Sequence, residues 1–221
     1  MTNTNYKAIL PQIKTFIFDV DGVLTDGKVL VTTEGELYRA VDTKDGYAIK
    51  CALVQGYKIV IISGGTNEGI RDRFKAFGIY DIYLGAHHKL DAYQDLMDNY
   101  DLNPEEILYV GDDVPDIPVM EKVGLSCCPA DAVSDVKAMV DYVSHKKGGE
   151  GCVREIIEQV LRVLSILGLR PEIGSCVHCN VPIEPPMAFE LEAGGVCCKR
   201  CVKSPQGSFA FSREDHTLIG Y

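Results

Sequence analysis

Two carboxylates placed two positions apart, Asp19 and Asp21, lie within the run Thr15-Phe16-Ile17-Phe18-Asp19-Val20-Asp21-Gly22-Val23-Leu24-Thr25. Side chains alternate along an extended segment, so both acids fall on the same side. Such a pair can divide a hydrolysis, one carboxylate attacking as nucleophile and the other moving a proton. Taken alone, the pair also reads as a strand followed by a solvated acidic turn. Further polar groups follow at Ser63-Gly64, Lys89 and Asp112-Asp113. A hydroxyl, a backbone amide and an ammonium can hold phosphate oxygens, while Mg2+ would offset the negative charge collected there. Without a cation, Asp19, Asp21 and Asp112 brought together would repel one another and tend to protonate. The inventory suits phosphoryl transfer.

Elements must bring these groups to one place. Residues 6–13 read as a short helix or lead-in over a sheet. The β-branched and aromatic run to Phe18 is a strand that delivers the acids, and Gly22 lets the chain turn away. Lys28 to Val41 alternates, with a break at Thr33-Glu34-Gly35-Glu36, as a β-hairpin does. Asp45 can cap a helix through Ala48, Ile49, Ala52 and Leu53 towards Gly56. Lys58-Ile59-Val60-Ile61-Ile62 is continuously apolar, the pattern of a buried parallel strand, and ends in Ser63-Gly64-Gly65. A helix with Ile70, Phe74 and Phe77 on one face stops at Gly78. A strand at Tyr80 to Leu84, a helix from Lys89 to Tyr100 and a strand at Ile107 to Val110 come next, the last delivering Gly111-Asp112-Asp113-Val114-Pro115-Asp116. Further βα-like segments fall at Leu125 to Cys128 and Tyr142 to Ser144. A glycine-rich stretch, Lys147-Gly148-Gly149-Glu150-Gly151, introduces an amphipathic helix from Cys152 to about Leu167. This alternation predicts an α/β fold: a three-layer parallel sheet with helices on both faces, its ligands at the carboxyl ends of the strands.

The totals agree. A chain of 221 residues with 46% hydrophobic and 24% charged residues is ordinary for a globular protein. Its formal net charge of −10 argues against a general polyanion binder and leaves room for a divalent cation in an acidic cleft. No run approaches the about 20 apolar residues of a membrane helix, and the polar start Met1 to Lys7 lacks a signal-peptide core. The expected location is cytoplasmic. Of the nine cysteines, Cys51, Cys127, Cys128 and Cys152 sit among apolar neighbours as small core hydrophobes. The other five fall between Cys176 and Cys201.

The motifs Asp19-Val20-Asp21-Gly22-Val23-Leu24-Thr25, Ser63-Gly64, Lys89 and Gly111-Asp112-Asp113-x-x-Asp116 resemble, in order and placement, the four motifs of haloacid dehalogenase-superfamily phosphatases. That resemblance implies a Rossmann-like fold, with Asp19 as nucleophile and Asp21 as general acid/base. It implies phosphate binding by Ser63, Gly64 and Lys89, and Mg2+ held by Asp19, the carbonyl of Asp21, and Asp112. Asp113 and Asp116 would support the metal site, or Asp116 would simply cap a helix. Only 41 residues separate Asp21 from Ser63 and 25 separate Ser63 from Lys89. Neither gap holds a cap domain, so an oligomeric neighbour would have to cover the cleft, with the 28–41 hairpin as the contact.

This capless layout is similar to the 3-deoxy-D-manno-octulosonate 8-phosphate phosphatases and the related keto-deoxy-nonulosonate 9-phosphate phosphatases, from about Tyr6 to Leu161. Asp26-Gly27, Asp45-Gly46, Arg73 and Lys147 to Glu155 carry the likeness further. It implies homotetramers joined by hairpins, and substrate contacts from Lys44, Asp45 and Arg73. Their other readings are a helix-capping carboxylate and solvated surface cations. The residue after Gly64 is often Arg in the octulosonate enzymes and Glu in the nonulosonate ones; here it is Gly65. The octulosonate ester, a lipopolysaccharide precursor, is the favoured substrate.

After Leu167 the character changes. Gly168-Leu169-Arg170-Pro171-Glu172 reads as a helix stop, and the expected organisation is a phosphatase domain over 1–168 with a tail over 169–221. Cys176-Val177-His178-Cys179 and Cys198-Lys199-Arg200-Cys201 are two C-x-x-C pairs 18 residues apart. That spacing matches a four-thiolate zinc site, a small zinc ribbon whose folding would draw on the metal. From about Leu161 to Phe211 the tail resembles the zinc-bearing C-terminal part of RecO-type DNA repair mediators, through Leu169 to Glu172, the paired cysteines and Phe189…Gly194-Gly195. Residues 170–221 hold five basic and six acidic side chains, a balance that gives no strong phosphate-binding surface. The tail is either a fusion or a junction of two reading frames. A zinc-ribbon module that recruits nucleic acid or protein is the rival reading from another functional class.

Overall fold

The computed structural model describes residues 5–166, 175–182, 187–190, 195–198, 200–201 and 208–211. The chain begins with two single 3-10 turns, Tyr6–Ala8 and Leu10–Gln12, in place of a regular lead-in helix. The elements that follow are β1 (Thr15–Phe18), the hairpin strands β2 (Leu30–Val31) and β3 (Leu37–Tyr38), α1 (Thr43–Val54), β4 (Lys58–Ile62) and α2 (Glu68–Lys75). Next come β5 (Asp81–Tyr83), α3 (Lys89–Tyr100), β6 (Ile107–Val110), α4 (Ile117–Met120), β7 (Leu125–Cys128), α5 (Ser134–Met139), β8 (Tyr142–Val143) and α6 (Cys152–Ile166).

Six strands form one sheet in the order β5-β4-β1-β6-β7-β8, with every pairing parallel. β1 lies between β4 and β6, with Phe18 opposite Ile61 and Val110. Its side chains feed two cores by alternation: Phe16 and Phe18 join Ile49, Ile61, Phe74 and Ile157 on one face, and Ile17 joins Val60, Leu96, Tyr109 and Val136 on the other. The first face is covered by α1, α2 and α6, the second by α3, α4 and α5. Both faces of the parallel strands are therefore dry, which is why β4 and β6 read as unbroken apolar runs. The expected three-layer architecture is present.

One boundary differs from expectation. Asp42, not Asp45, caps α1, accepting the Lys44 N–H at 2.8 Å. Asp45 lies inside the first turn and is turned to another task, taken up below. The expected hairpin is present as a short two-stranded ribbon, Leu30 opposite Tyr38 and Val31 opposite Leu37.

In the C-terminal region, β9 (Met187–Glu190), β10 (Gly195–Cys197) and β11 (Ser208–Phe211) form an antiparallel sheet in the order β10-β9-β11. The expected helix stop at 168–172 lies outside the described residues. No described helix is long and apolar enough to cross a membrane.

Candidate active site

Three neighbouring strands end on one side of the sheet and each hands over polar groups there. Asp19 follows β1, Ser63 follows β4 and Asp112 follows Gly111 beyond β6. They line a cavity of about 350 Å3 together with Asp21, Gly64, Gly65, His87, Lys89 and Asp113. The structure thus brings together Asp19, Asp21, Ser63, Gly64, Lys89 and Asp112, as the sequence led us to expect.

Asp19 is 5% exposed. Its Oδ1 accepts the Val20 N–H at 2.6 Å, and its Oδ2 lies 2.7 Å from Lys89 Nζ. Burial, aided by the charge of Asp116 and opposed by Lys89, pushes its carboxyl up to about 7. Lys89 opens α3 and is itself buried, its Nζ also 2.6 Å from Asp116 Oδ1. Burial works against the ammonium, but the charges of Asp19 and Asp116 outweigh it and hold the group above its ordinary range.

Asp116 resolves one of the open assignments. It is wholly buried and saturated: Oδ1 accepts from Lys89 and from the Tyr109 hydroxyl at 2.6 Å, and Oδ2 accepts the N–H groups of Asp112 at 3.0 Å and Asp113 at 3.2 Å. It closes a capping box with Asp113, whose Oδ1 accepts the Val114 N–H at 2.8 Å. Asp113 is thus the cap of the turn, and Asp116 completes the box and braces the acidic loop. Tyr109 gave no signal in the sequence, because an aromatic residue in a strand reads as core.

Two glycines make the close approach of the acids possible. Gly22 has φ +89°, and a Cβ there would run into the Asp112 carboxylate. A Cβ on Gly111 would meet the Asp116 carboxylate. The glycine-rich 147–151 segment serves the same loop: Gly149 N–H donates to Val23 O at 2.9 Å, and a Cβ on Gly148 would strike the Gly22 carbonyl. Thr25 Oγ1 receives the N–H groups of Gly22 and Gly27, each at 3.3 Å.

Asp112 carries the observation that bears on a metal. Its Oδ1 is buried with no hydrogen-bond partner among the described residues. Burial first, and the charge of Asp116 second, push its carboxyl up to about 7. Carboxylate oxygens of Asp19, Asp112 and Asp116 lie within 4.8 Å of one another. An orphaned buried carboxylate oxygen beside a second acid fits an oxygen-preferring divalent cation.

Asp21 is held differently from its neighbours. Arg39, just past β3, grips it with Nε at 2.5 Å from Oδ1 and Nη2 at 3.1 Å from Oδ2. Arg39 was not singled out by sequence reasoning; only the alternation of the hairpin could have pointed to it. Ser63 Oγ accepts the Gly65 N–H at 3.1 Å, and Ser63 O accepts the Ala86 N–H, which ties this loop to the approach of Lys89.

Lys44, Asp45 and Arg73 do not line this cavity. Lys44 is exposed, and Arg73 is exposed with its guanidinium 4.5 Å from the Phe77 ring centroid. Asp45 is 1% exposed and accepts the Arg154 N–H at 2.8 Å, which places it over the first turn of α6. Its Oδ2 is buried without a partner among the described residues, and burial pushes its carboxyl up to about 6.

Comparison with known proteins adds to this geometry. Over 149 residues, 67% of the chain, the sequence is 44% identical to the 3-deoxy-D-manno-octulosonate 8-phosphate phosphatase KdsC of Salmonella typhi, 79% of which is covered. The chain belongs to this phosphatase family. Residues 73–156 also match the haloacid dehalogenase-like hydrolase family. Among solved structures, the phosphatase of Yersinia pestis superposes with a TM-score of 0.72 at 36% identity, covering 75% of this chain and 89% of that one. The Moraxella catarrhalis phosphatase, solved with a magnesium ion, a phosphate ion and a KDO molecule, has a TM-score of 0.70 at 30% identity, covering 72% and 92%. As a member of this family the chain is a phosphoric monoester hydrolase.

Residues 132–221 match a second family, the recombination protein O C terminal. The first part of that match lies in α5, β8 and α6, which pack on the phosphatase sheet through Val136, Tyr142 and Ile157. In the later part, Sγ atoms of Cys176, Cys179, Cys198 and Cys201 all lie within 4.8 Å of one another. Backbone N–H groups, that of Cys198 foremost, lower the Cys176 thiol to about 6.

Proposed function

We propose that the chain hydrolyses 3-deoxy-D-manno-octulosonate 8-phosphate to the free sugar acid and phosphate, in the cytoplasm, by way of an aspartyl-phosphate on Asp19. The observation that carries the reading is a buried nucleophile flanked, at one cavity, by a lysine, a serine and a second carboxylate. The identity to phosphatases named for that ester supports the substrate.

An oxygen of Asp19 attacks phosphorus, and the bond from phosphorus to the ester oxygen breaks. That oxygen leaves with the electron pair and takes the proton of the Asp21 carboxyl. Water then attacks the aspartyl-phosphate and hands a proton to Asp21, and the bond to Asp19 breaks, returning its carboxylate. Ser63 Oγ, the Gly64 N–H and Lys89 hold the phosphate oxygens. Asp19, the Asp21 carbonyl and Asp112 would hold Mg2+, which when bound offsets the negative charge of the phosphoryl group.

Among the described residues no cap domain covers the cleft, and the hairpin beside it exposes Leu30 at 68%, Val31 at 64% and Tyr38 at 53%. We read this ribbon as the contact of a homotetramer. Lys44, Asp45 and Arg73 are retained as candidate substrate contacts on the resemblance alone.

The test is phosphate release from the octulosonate ester with Mg2+ and with EDTA, alongside Asp19→Asn. Metal-dependent release that Asp19→Asn abolishes is expected. Equal release from many sugar phosphates would overturn the substrate, and preference for keto-deoxy-nonulosonate 9-phosphate would replace it. Full activity of Asp19→Asn would overturn the mechanism.

A second reading concerns the tail from about residue 169, favoured by the convergence of four thiols. We propose that Cys176, Cys179, Cys198 and Cys201 bind one structural zinc ion and form a unit separate from the phosphatase over 1–168. One zinc per chain in purified protein, lost in Cys176→Ser, is the expected result. Such a unit would serve as an interaction module, and DNA binding that survives zinc removal would count against that role.

A further inference from the structure

Arg39 stands apart from the rest of the hairpin. While Leu30, Val31 and Tyr38 face solvent, the Arg39 side chain is only 10% exposed and its fork closes on both oxygens of Asp21. Gly65, which lines the cavity, leaves room for this pair: a Cβ there would sit 3.4 Å from Asp21 Oδ2 and 3.6 Å from Arg39 Nη2. Among the described residues a further side-chain hydrogen bond ties the hairpin to the body, Asn67 Nδ2 donating to Leu37 O at 3.1 Å. A ribbon of two residues per strand has little stability of its own, so contacts of this kind with the body help set where it lies.

A monodentate partner leaves a carboxylate free to rotate about its last torsion. A guanidinium bonded through Nε and Nη2 fixes the carboxylate plane as well as its distance. Asp19 and Asp116 are paired with Lys89 at the start of α3, and among the described residues Asp112 has no ion pair, so Asp21 alone of the cluster is gripped from the hairpin.

We propose that Arg39 is the positioning residue of the reaction: it orients the Asp21 carboxyl towards the leaving ester oxygen, so that the hairpin completes the proton-transfer geometry. This rests on the reading of Asp21 as the general acid. It assigns the hairpin a part in the chemistry of its own subunit.

The test compares kcat/KM for the octulosonate ester with kcat/KM for p-nitrophenyl phosphate in wild type, Arg39→Met and Arg39→Lys. This parameter covers steps up to the first irreversible one, the transfer to Asp19. The alkyl leaving group needs the proton of Asp21, whereas p-nitrophenolate departs without one. Arg39→Met is expected to lower kcat/KM for the sugar ester by on the order of 100-fold while lowering it far less for the aryl ester. Arg39→Lys, which keeps the charge but not the fork, should fall in between. Asn67→Asp, which keeps the α2 cap but loses the donor to Leu37, loosens the hairpin while leaving the fork in place, so it should move the ratio of the two esters in the same direction as Arg39→Met and by less.

An equal loss on both esters in Arg39→Met would make Arg39 a structural brace and overturn the inference, as would no loss on either. If wild type releases phosphate from neither ester, the hydrolase reading falls and takes the inference with it.

Discussion

Tyr109 donates its hydroxyl to Asp116 Oδ1 across 2.6 Å, with both side chains fully buried. The phenol reaches through the core from the middle of the sheet to the brace that positions Asp112 and Lys89. In Tyr109→Phe that oxygen keeps only Lys89. A lost hydrogen bond to a buried carboxylate costs about 1–3 kcal/mol, so the urea midpoint should fall by a corresponding amount. An unchanged midpoint would show that Asp116 does not need the phenol.

Lys89 faces two buried carboxylates, Asp19 at 2.7 Å and Asp116 at 2.6 Å. Removing one partner of a buried pair leaves uncompensated charge and costs about 3–5 kcal/mol. Lys89→Met should therefore melt well below wild type in metal-free buffer and lose phosphate release. Adding Asp116→Asn should recover part of the melting temperature and none of the activity.

Gly22→Ala and Gly35→Ala separate backbone strain from collision. Both positions have positive φ, +89° and +83°, yet nothing lies within 4 Å of a Cβ on Gly35 while one on Gly22 meets the Asp112 carboxylate. The left-handed conformation alone costs about 1–2 kcal/mol, which is the whole loss expected at Gly35. At Gly22 a larger loss in thermal denaturation should accompany a drop in phosphate release. Equal losses at the two positions would show that Asp112 yields freely.

Asp45 gives a pH signature away from the acidic cluster. Its carboxyl is raised to about 6 from the ordinary 3.8, chiefly by burial, so between these values the folded protein binds the extra proton. Its contribution is therefore complete below about pH 4, is lost as pH rises through about 6, and changes on the order of 1 kcal/mol per pH unit between them. Asp45→Asn should flatten that part of the stability curve, measured by urea denaturation at pH 4 and pH 7. An unaltered slope would place the titration elsewhere.

The fold could be read from the sequence because apolar runs at β1, β4 and β6 each end in a polar motif, and parallel strands buried on both faces leave that trace. The site was legible in the residues that line the cavity: Asp19, Asp21, Ser63, Lys89 and Asp112 arrive together. What stayed hidden was the support. Tyr109 and Arg39 act through other residues, and neither lies at a spacing that announces it. Asp45 misled for a related reason. A carboxylate near a helix start looks like its cap, but Asp42 takes that place and Asp45 reaches across to α6. Long-range acceptors of this kind leave no local pattern.

The contact of Gly148 with the Gly22 carbonyl has a temporal side. The ribosome delivers the Asp19-to-Thr25 loop early and the segment that seats it only after more than a hundred further residues. Strand β1 must also wait for β6, its neighbour in the sheet. Asp19, Ser63, Lys89 and Asp112 are all synthesised before Gly148, yet until then the acidic loop has no backing. Catalytic competence should therefore appear only once the 147–151 segment and the α6 helix behind it have cleared the exit tunnel, by which time the cysteine-bearing tail is itself being synthesised.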